Sequence, residues 1–125
     1  MNSEKWKMES STLKNKSYMF AIRIVKLSQY LQDERREFVL SKQVLRSGTA
    51  IGALVREAEF GQSKPDFTSK MSIALKEANE TEYWLSLLKD TDFISEKQFT
   101  SLHSDCRELI AMLVSTVKTS KANEK

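Results

Sequence analysis

The chain has 125 residues, of which three are Gly, one is Pro and one is Cys, and its net charge is +3. So few turn-forming residues predict an all-α fold, and this length suits a single domain. One cysteine excludes an internal disulfide, and no apolar run reaches the about 18 residues of a membrane span, so we expect a cytoplasmic protein.

The basic excess lies at the two ends of the chain. Residues 1–16 carry four Lys against two Glu, and residues 118–125 carry three Lys against one Glu. Charged ends of this kind are typical of solvated, disordered segments. We therefore predict flexible tails at residues 1–12 and 119–125 around a helical domain at residues 13–118.

Two helices are predicted in the first half of the chain. The first runs from about Leu13 to Glu34, where a run of charged residues ends it. The second begins near Leu40 and stops at Gly61. Gly favours helix C-termini, and Pro65 keeps the residue before it out of the helical region, so a loop follows.

Two further helices follow this loop. Asp66 is predicted to cap the third helix, which runs to about Asp90. Ser95 opens the fourth helix with Gln98 three residues later, the spacing of a capping box, and the helix continues to about Lys118. Short connections between long helices require antiparallel neighbours, so we predict an up-down-up-down four-helix bundle.

The apolar residues of the last three helices recur three and four positions apart, which is the spacing of a bundle core. Gly48 and Gly52 in the second helix would allow a neighbouring backbone to approach closely. The predicted seams are Val44, Gly48, Ile51, Val55 and Ala58; Phe67, Met71, Ala74, Ala78, Thr81, Leu85 and Leu88; and Phe99, Leu102, Cys106, Leu109, Leu113 and Val117.

The first and third helices each carry a second apolar stripe, away from the residues that face the core. A monomer would leave these stripes in water, which monomeric proteins rarely do with large apolar patches. The alternative is one broad core face with scattered exposed apolar residues. We predict a homo-oligomer with the interface residues Tyr18, Ile22, Val25, Ile73, Glu77, Glu80, Trp84 and Leu87.

Basic residues suggest a second kind of surface. On the second helix, Lys42, Arg46 and Arg56 share a face without an acidic residue, opposite the core seam. Lys and Arg in such an array can contact nucleic-acid phosphates. Charge pattern alone favours a solvated face, or Arg46 paired with Glu77 or Glu80 across a subunit contact. The predicted nucleic-acid-binding residues are Arg23, Lys26, Arg35, Arg36, Lys42, Arg46 and Arg56.

Catalysis has little support in the sequence. A di-iron bundle needs two Glu-x-x-His motifs, and His103 is the only histidine. Its place beside the core seam favours a structural histidine, and Cys106 in the same seam favours a small apolar role. Glu77 and Glu80 share a helix face, where solvated or paired carboxylates are commoner than an acid–base pair. We expect no enzyme activity, no metal, no cofactor and no small-molecule substrate.

Two segments resemble the four-helix bundle proteins encoded within 23S rRNA intervening sequences. They are LSKQVLRSGTAIG at residues 40–52, followed by Glu57 and Ala58, and IALKEANETEYWL at residues 73–85. The resemblance covers nearly the whole chain apart from the tails. It implies that Arg46, Glu77 and Glu80 are characteristic polar residues and that Trp84 is a packing anchor.

The same family shares its fold with the accessory proteins of diversity-generating retroelements. This likeness implies a ring of five subunits that binds nucleic acid or a nucleic-acid enzyme. The leading hypothesis is therefore a non-enzymatic homo-oligomer that binds RNA or DNA through its basic patches. The alternative is a protein-interaction scaffold without direct nucleic-acid contact.

Overall fold

Four helices account for most of the chain in the structure, a computed structural model that describes the backbone of residues 3–123 and the side chains of residues 12–123. They are α1 (Ser3–Asp33), α2 (Leu40–Glu59), α3 (Lys64–Asp90) and α4 (Glu96–Asn123). Helices that follow one another in sequence contact each other most extensively, as in an up-down arrangement. The predicted all-α four-helix bundle is confirmed.

The first and last helices extend further than the sequence indicated. Helix α1 begins at Ser3 instead of near Leu13, and α4 continues to Asn123, so helix covers parts of both predicted tails. The remaining parts of those tails, residues 1–2 and 124–125, lie outside the described residues. Within the described range, no helix has the length and hydropathy needed to cross a membrane.

Side chains cap α3 and α4 close to the predicted positions, with one correction. The N-cap of α3 is Ser63, whose hydroxyl accepts from Asp66 N at 3.2 Å; the prediction of Asp66 as the cap is wrong. Pro65 fits the first helical turn, where its missing N–H costs nothing, so the helix begins before it. The capping box is confirmed, because Ser95 N donates to Gln98 Oε1 at 2.8 Å and Gln98 N to Ser95 Oγ at 3.1 Å.

The core forms along the predicted seams. All of the seam residues of α2, α3 and α4 are buried except Phe99, which is half-buried at the edge of the core. From α1, the core receives Leu13, Phe20, Ile24, Leu27 and Leu31.

Helices α1 and α2 pack closely because two positions of α2 lack a side chain. A Cβ on Gly48 would lie 2.8 Å from Cγ1 and Cγ2 of the buried Ile24. A Cβ on Gly52 would lie 3.3 Å from the backbone oxygen of Ser17. The predicted close approach at this glycine pair is confirmed.

Candidate interaction surfaces

Two apolar surfaces lie on the outside of the bundle. The α1 stripe consists of Tyr18, Ile22 and Val25, and the α3 stripe consists of Ile73, Glu77, Glu80, Trp84 and Leu87. Tyr18 is 55% exposed, Val25 39% and Ile73 42%. Ile22, Trp84 and Leu87 are half-buried. The α1 stripe lies opposite the face of α1 that fills the core. The α3 stripe lies beside the core-facing residues of α3, and Trp84 packs against the core.

Other large apolar side chains are also exposed, and the sequence analysis did not identify them. Met19 and Tyr83 lie beside the two stripes, 60% and 59% exposed. Phe38, Val39 and Phe60 lie at the helix connections, with exposures of 49%, 69% and 78%. Helical periodicity assigns faces only within a helix, so it gives no signal for connection residues.

A polar cluster lies within the α3 stripe. Arg46 of α2 donates to Glu77 Oε1 at 3.2 Å and also to Glu80, whose Oε2 accepts from the indole N–H of Trp84 at 2.9 Å. These contacts join α2 and α3 of one chain. The interpretation that Arg46 pairs with these acids across a subunit contact is therefore corrected, because α2 and α3 are adjacent and place the three groups side by side.

The cluster changes the pKa values of Glu80 and Arg46. The hydrogen bond from Trp84, followed by that from Arg46, lowers the pKa of Glu80 below its ordinary value despite partial desolvation. The hydrogen bond to Glu80 in turn raises the pKa of Arg46. At neutral pH the lowered pKa keeps the Glu80 carboxylate ionised beside the Arg46 guanidinium.

Two more of the predicted nucleic-acid-binding arginines make contacts within the chain. Arg23 joins α1 to α4 by donating to Asp105 Oδ2 at 2.6 Å and to Ser101 Oγ at 2.9 Å. Arg35 joins the two connections at one end of the bundle. Its Nη1 donates to the backbone oxygens of Asp92 at 2.8 Å and Phe93 at 2.9 Å, and its guanidinium lies 5.2 Å from the Phe93 ring centroid.

The other four predicted cations are Lys26, Arg36, Lys42 and Arg56, all exposed. None of them belongs to an ion pair among the described side chains. The guanidinium of Arg56 lies 5.7 Å from the ring centroid of Tyr18. The structure therefore divides the predicted basic residues into three that are hydrogen-bonded within the chain and four exposed cations outside the described ion pairs, of which Arg56 contacts the Tyr18 ring.

A shallow depression of about 540 Å³ lies beside Arg56, at the connection between α2 and α3. Phe60 and Gln62 line it together with Glu57 and Lys70, which form an ion pair of 3.4 Å. The depression is open, and its charges are largely balanced within the chain.

His103 and Cys106 lie in the contact between α3 and α4. His103 Nε2 is 2.9 Å from Glu82 Oε2, and its ring stacks on Phe99 with centroids 4.7 Å apart. The Cys106 thiol donates to the backbone oxygen of Ala78 at 3.4 Å, and burial raises its pKa to about 12. Across the described residues, no three His, Cys, Asp or Glu side chains are grouped so as to hold a metal ion.

Comparison with known proteins identifies relatives. Residues 9–115 match the 23S rRNA-intervening sequence protein family. The chain is also 53% identical, with a TM-score of 0.87, to the crystal structure of a protein of unknown function from the S23 ribosomal protein family of Bacteroides thetaiotaomicron. That match covers 88% of this chain and 98% of the other. No curated protein matches the sequence.

Proposed function

The chain belongs to the 23S rRNA-intervening sequence protein family, and on this premise we propose that it is a non-enzymatic, homo-oligomeric four-helix bundle. The observation that carries the proposal is the pair of apolar stripes on the outside of one subunit. Tyr18 is 55% exposed and Ile73 is 42% exposed, on different helices. Contact with other copies would remove both stripes from water.

Five subunits is the number that the likeness to retroelement accessory proteins implies, and we adopt it as part of the proposal. We also propose a cytoplasmic location, which suits a chain with one buried thiol and no disulfide.

The burial and the contacts of the candidate nucleophile and bases support the proposed lack of catalysis. Cys106 is fully buried, and burial raises its pKa to about 12, so almost no thiolate forms at neutral pH. His103 contacts Glu82 and Phe99, and Glu80 accepts from Arg46 and Trp84. Each of these groups already has a partner that packing within the subunit provides.

Light scattering coupled to size-exclusion chromatography tests self-association. We expect the wild-type mass to be a multiple of the monomer mass, and Val25→Glu to reduce it. Ser104→Glu is a matched control, because Ser104 is an exposed α4 residue away from both stripes. A wild-type protein that stays monomeric across a wide concentration range would refute the proposal.

Nucleic-acid binding is the second proposed activity, and it rests on the outer face of α2. Lys42 and Arg56 are exposed there and belong to none of the ion pairs formed by the described side chains. Unpaired cations of this kind favour phosphate contact, and an oligomer would repeat them around its surface.

Fluorescence polarisation with labelled RNA and DNA tests this activity. We expect binding at low salt that weakens as salt rises, and a loss in the variant Lys42→Glu, which changes the α2 face away from both stripes. Lys97→Glu makes the same change in charge at an exposed position of α4 and is expected to bind like the wild type. Equal binding by the two variants would contradict a role for the α2 face.

A protein-interaction scaffold without nucleic acid is the alternative outcome. Copurification from native cells, with and without nuclease, separates the two cases. A partner that remains after nuclease treatment, together with no polarisation signal, would favour the scaffold.

A further inference from the structure

The two helices that carry the outer stripes have opposite charge. From Leu13 to Gln32, α1 carries four basic residues and no Asp or Glu. Over its full length, Lys64–Asp90, α3 carries five acidic and four basic residues, a net charge of minus one. Surfaces of opposite charge favour contact with each other over contact with themselves.

The carboxylates of α3 lie in the middle of its stripe. Ile73 and Leu87 form the two ends, and Glu77, Glu80 and Trp84 lie between them with spacings of three and four residues. Arg46 contacts both carboxylates from the α2 side. The result is an apolar ridge whose centre holds two carboxylates and one guanidinium.

The α1 stripe is bordered by cations. Three of its helix's cations are held within the subunit, because Lys14, Lys16 and Arg23 pair with Glu59, Glu108 and Asp105. Lys26 follows Val25 directly, is exposed, and is absent from the ion pairs of the described side chains. Arg56 lies over Tyr18. The apolar side chains of this stripe are therefore flanked by Lys26 and Arg56, and Glu59 is held by Lys14, one turn before Tyr18.

We propose that the α1 stripe of one copy packs against the α3 stripe of the next, with Lys26 beside Glu77 and Glu80 of that copy. The inference rests on the proposed self-association and specifies which surfaces meet. The contact is heterologous, since two different patches are joined, and repetition of it produces a ring or an open chain.

A contact between two α1 stripes is less favourable, because it would bring Lys26 and Arg56 of both copies together. The α3 stripe is closer to neutral, since Arg46 and Lys76, one turn before Glu80, offset the two α3 carboxylates within a subunit. The unlike pair places the α1 cations beside carboxylates instead of beside other cations.

A mixing experiment with two variants tests the pairing. Val25→Glu disables the α1 stripe and leaves the α3 stripe intact, while Ile73→Glu does the reverse. Each variant alone is expected to be monomeric by light scattering, and an equimolar mixture is expected to form a one-to-one heterodimer through the two intact stripes. The disabled stripes both carry Glu and repel each other, so assembly stops at two copies.

Other outcomes overturn the inference in distinguishable ways. A variant that still forms homodimers alone would show that identical stripes meet, and a mixture that stays monomeric would show that the two stripes do not complement each other. A monomeric wild type would refute self-association itself. Circular dichroism confirms folding, and Tyr18→Glu with Leu87→Glu is a second pair of variants if the first does not fold.

Lys26 is tested separately by charge reversal. Lys26→Glu is expected to weaken association about tenfold at low salt, with a smaller effect at high salt. Lys97→Glu is the matched control, an exposed cation of α4 outside both stripes. Equal association by the two variants would remove Lys26 from the contact.

Discussion

The indole N–H of Trp84 donates to Glu80 Oε2 at 2.9 Å, from one helical turn further along α3. Arg46 of α2 donates to the same carboxylate. This relationship connects the aromatic side chain of the α3 stripe to the ion pair between α2 and α3, so a change at Trp84 should be measurable at Glu80.

Replacement of Trp84 by Phe removes the donor and keeps an aromatic ring. Because this hydrogen bond is the leading cause that lowers the pKa of Glu80, the pKa is expected to rise towards the ordinary value of 4.5. We expect a loss of about 1 kcal/mol in unfolding free energy at pH 7. NMR titration of the Glu80 side-chain carboxyl carbon measures the first effect and urea denaturation the second.

The pH dependence has a defined sign. A carboxylate with a lowered folded pKa stabilises the fold fully above the unfolded pKa, and the stabilisation is lost as pH falls through the folded pKa. The wild type should therefore lose more stability below pH 4.5 than Trp84→Phe does. Tyr83→Phe, at the adjacent exposed residue, is the control and should titrate like the wild type. An unchanged Glu80 titration in Trp84→Phe would contradict this account.

A buried hydroxyl pair joins α2 to α3 and gives a second prediction. Thr81 Oγ1 lies 2.9 Å from Ser47 Oγ, and both residues are fully buried. Ser47→Ala leaves the Thr81 hydroxyl with only the backbone oxygen of Glu77 and is expected to cost about 1 kcal/mol. Chemical denaturation of the variant measures this loss.

The double variant is the informative control for this pair. Ser47→Ala/Thr81→Val replaces both hydroxyls, so no buried polar group is left without its partner. Its loss of stability is expected to be smaller than the sum of the two single losses. Strict additivity would show that the two hydroxyls do not interact.

Arg35 is predicted to stabilise the bundle, and its neighbour Arg36 is not. Arg35 donates to two backbone oxygens of the connection between α3 and α4 and lies over Phe93, whereas Arg36 is exposed and takes part in none of the described ion pairs. Arg35→Ala is expected to cost about 1–2 kcal/mol, and Arg36→Ala less than about 0.5 kcal/mol.

Thermal unfolding monitored by circular dichroism compares these two variants directly. They make the same change in charge at adjacent positions, so a difference between them reports the internal contacts of Arg35. Equal melting temperatures would contradict a structural role for Arg35.

Cys106 is expected to be unreactive in the folded protein. Its side chain is fully buried, its thiol donates to Ala78 O, and burial raises its pKa to about 12. The thiolate is the reactive form, so at pH 8 labelling by a thiol reagent should proceed only through unfolding. Absorbance assays of labelling, with and without denaturant, measure the rate.

The control moves the thiol to the surface. The variant Cys106→Ala/Ser69→Cys carries its only cysteine at an exposed position of α3 and should react rapidly without denaturant. Fast labelling of Cys106 in the native wild type would show that α4 opens readily.

Much of the fold is determined by local pattern in the sequence. The α3 seam from Phe67 to Leu88 follows from apolar spacing, and all of its residues are buried. The capping box of Ser95 and Gln98 involves residues three positions apart, so it is legible without tertiary information. The outward stripe of α1 follows from the same periodicity, since a residue opposite the core seam must face outward. The α3 stripe lies beside its seam and is half-buried except for Ile73.

Only the tertiary structure decided which charged side chains have partners within the chain and which remain available to contact another molecule. Arg23 meets Asp105 and Arg35 meets Asp92, partners that lie on other helices or in distant connections. The sequence left open whether Arg46 pairs with Glu77 within a subunit or between subunits. The packing of α2 against α3 brings the two side chains together within one subunit. Helical period and caps depend on residues a few positions apart, whereas ion-pair partners depend on how each helix is rotated when its seam enters the core.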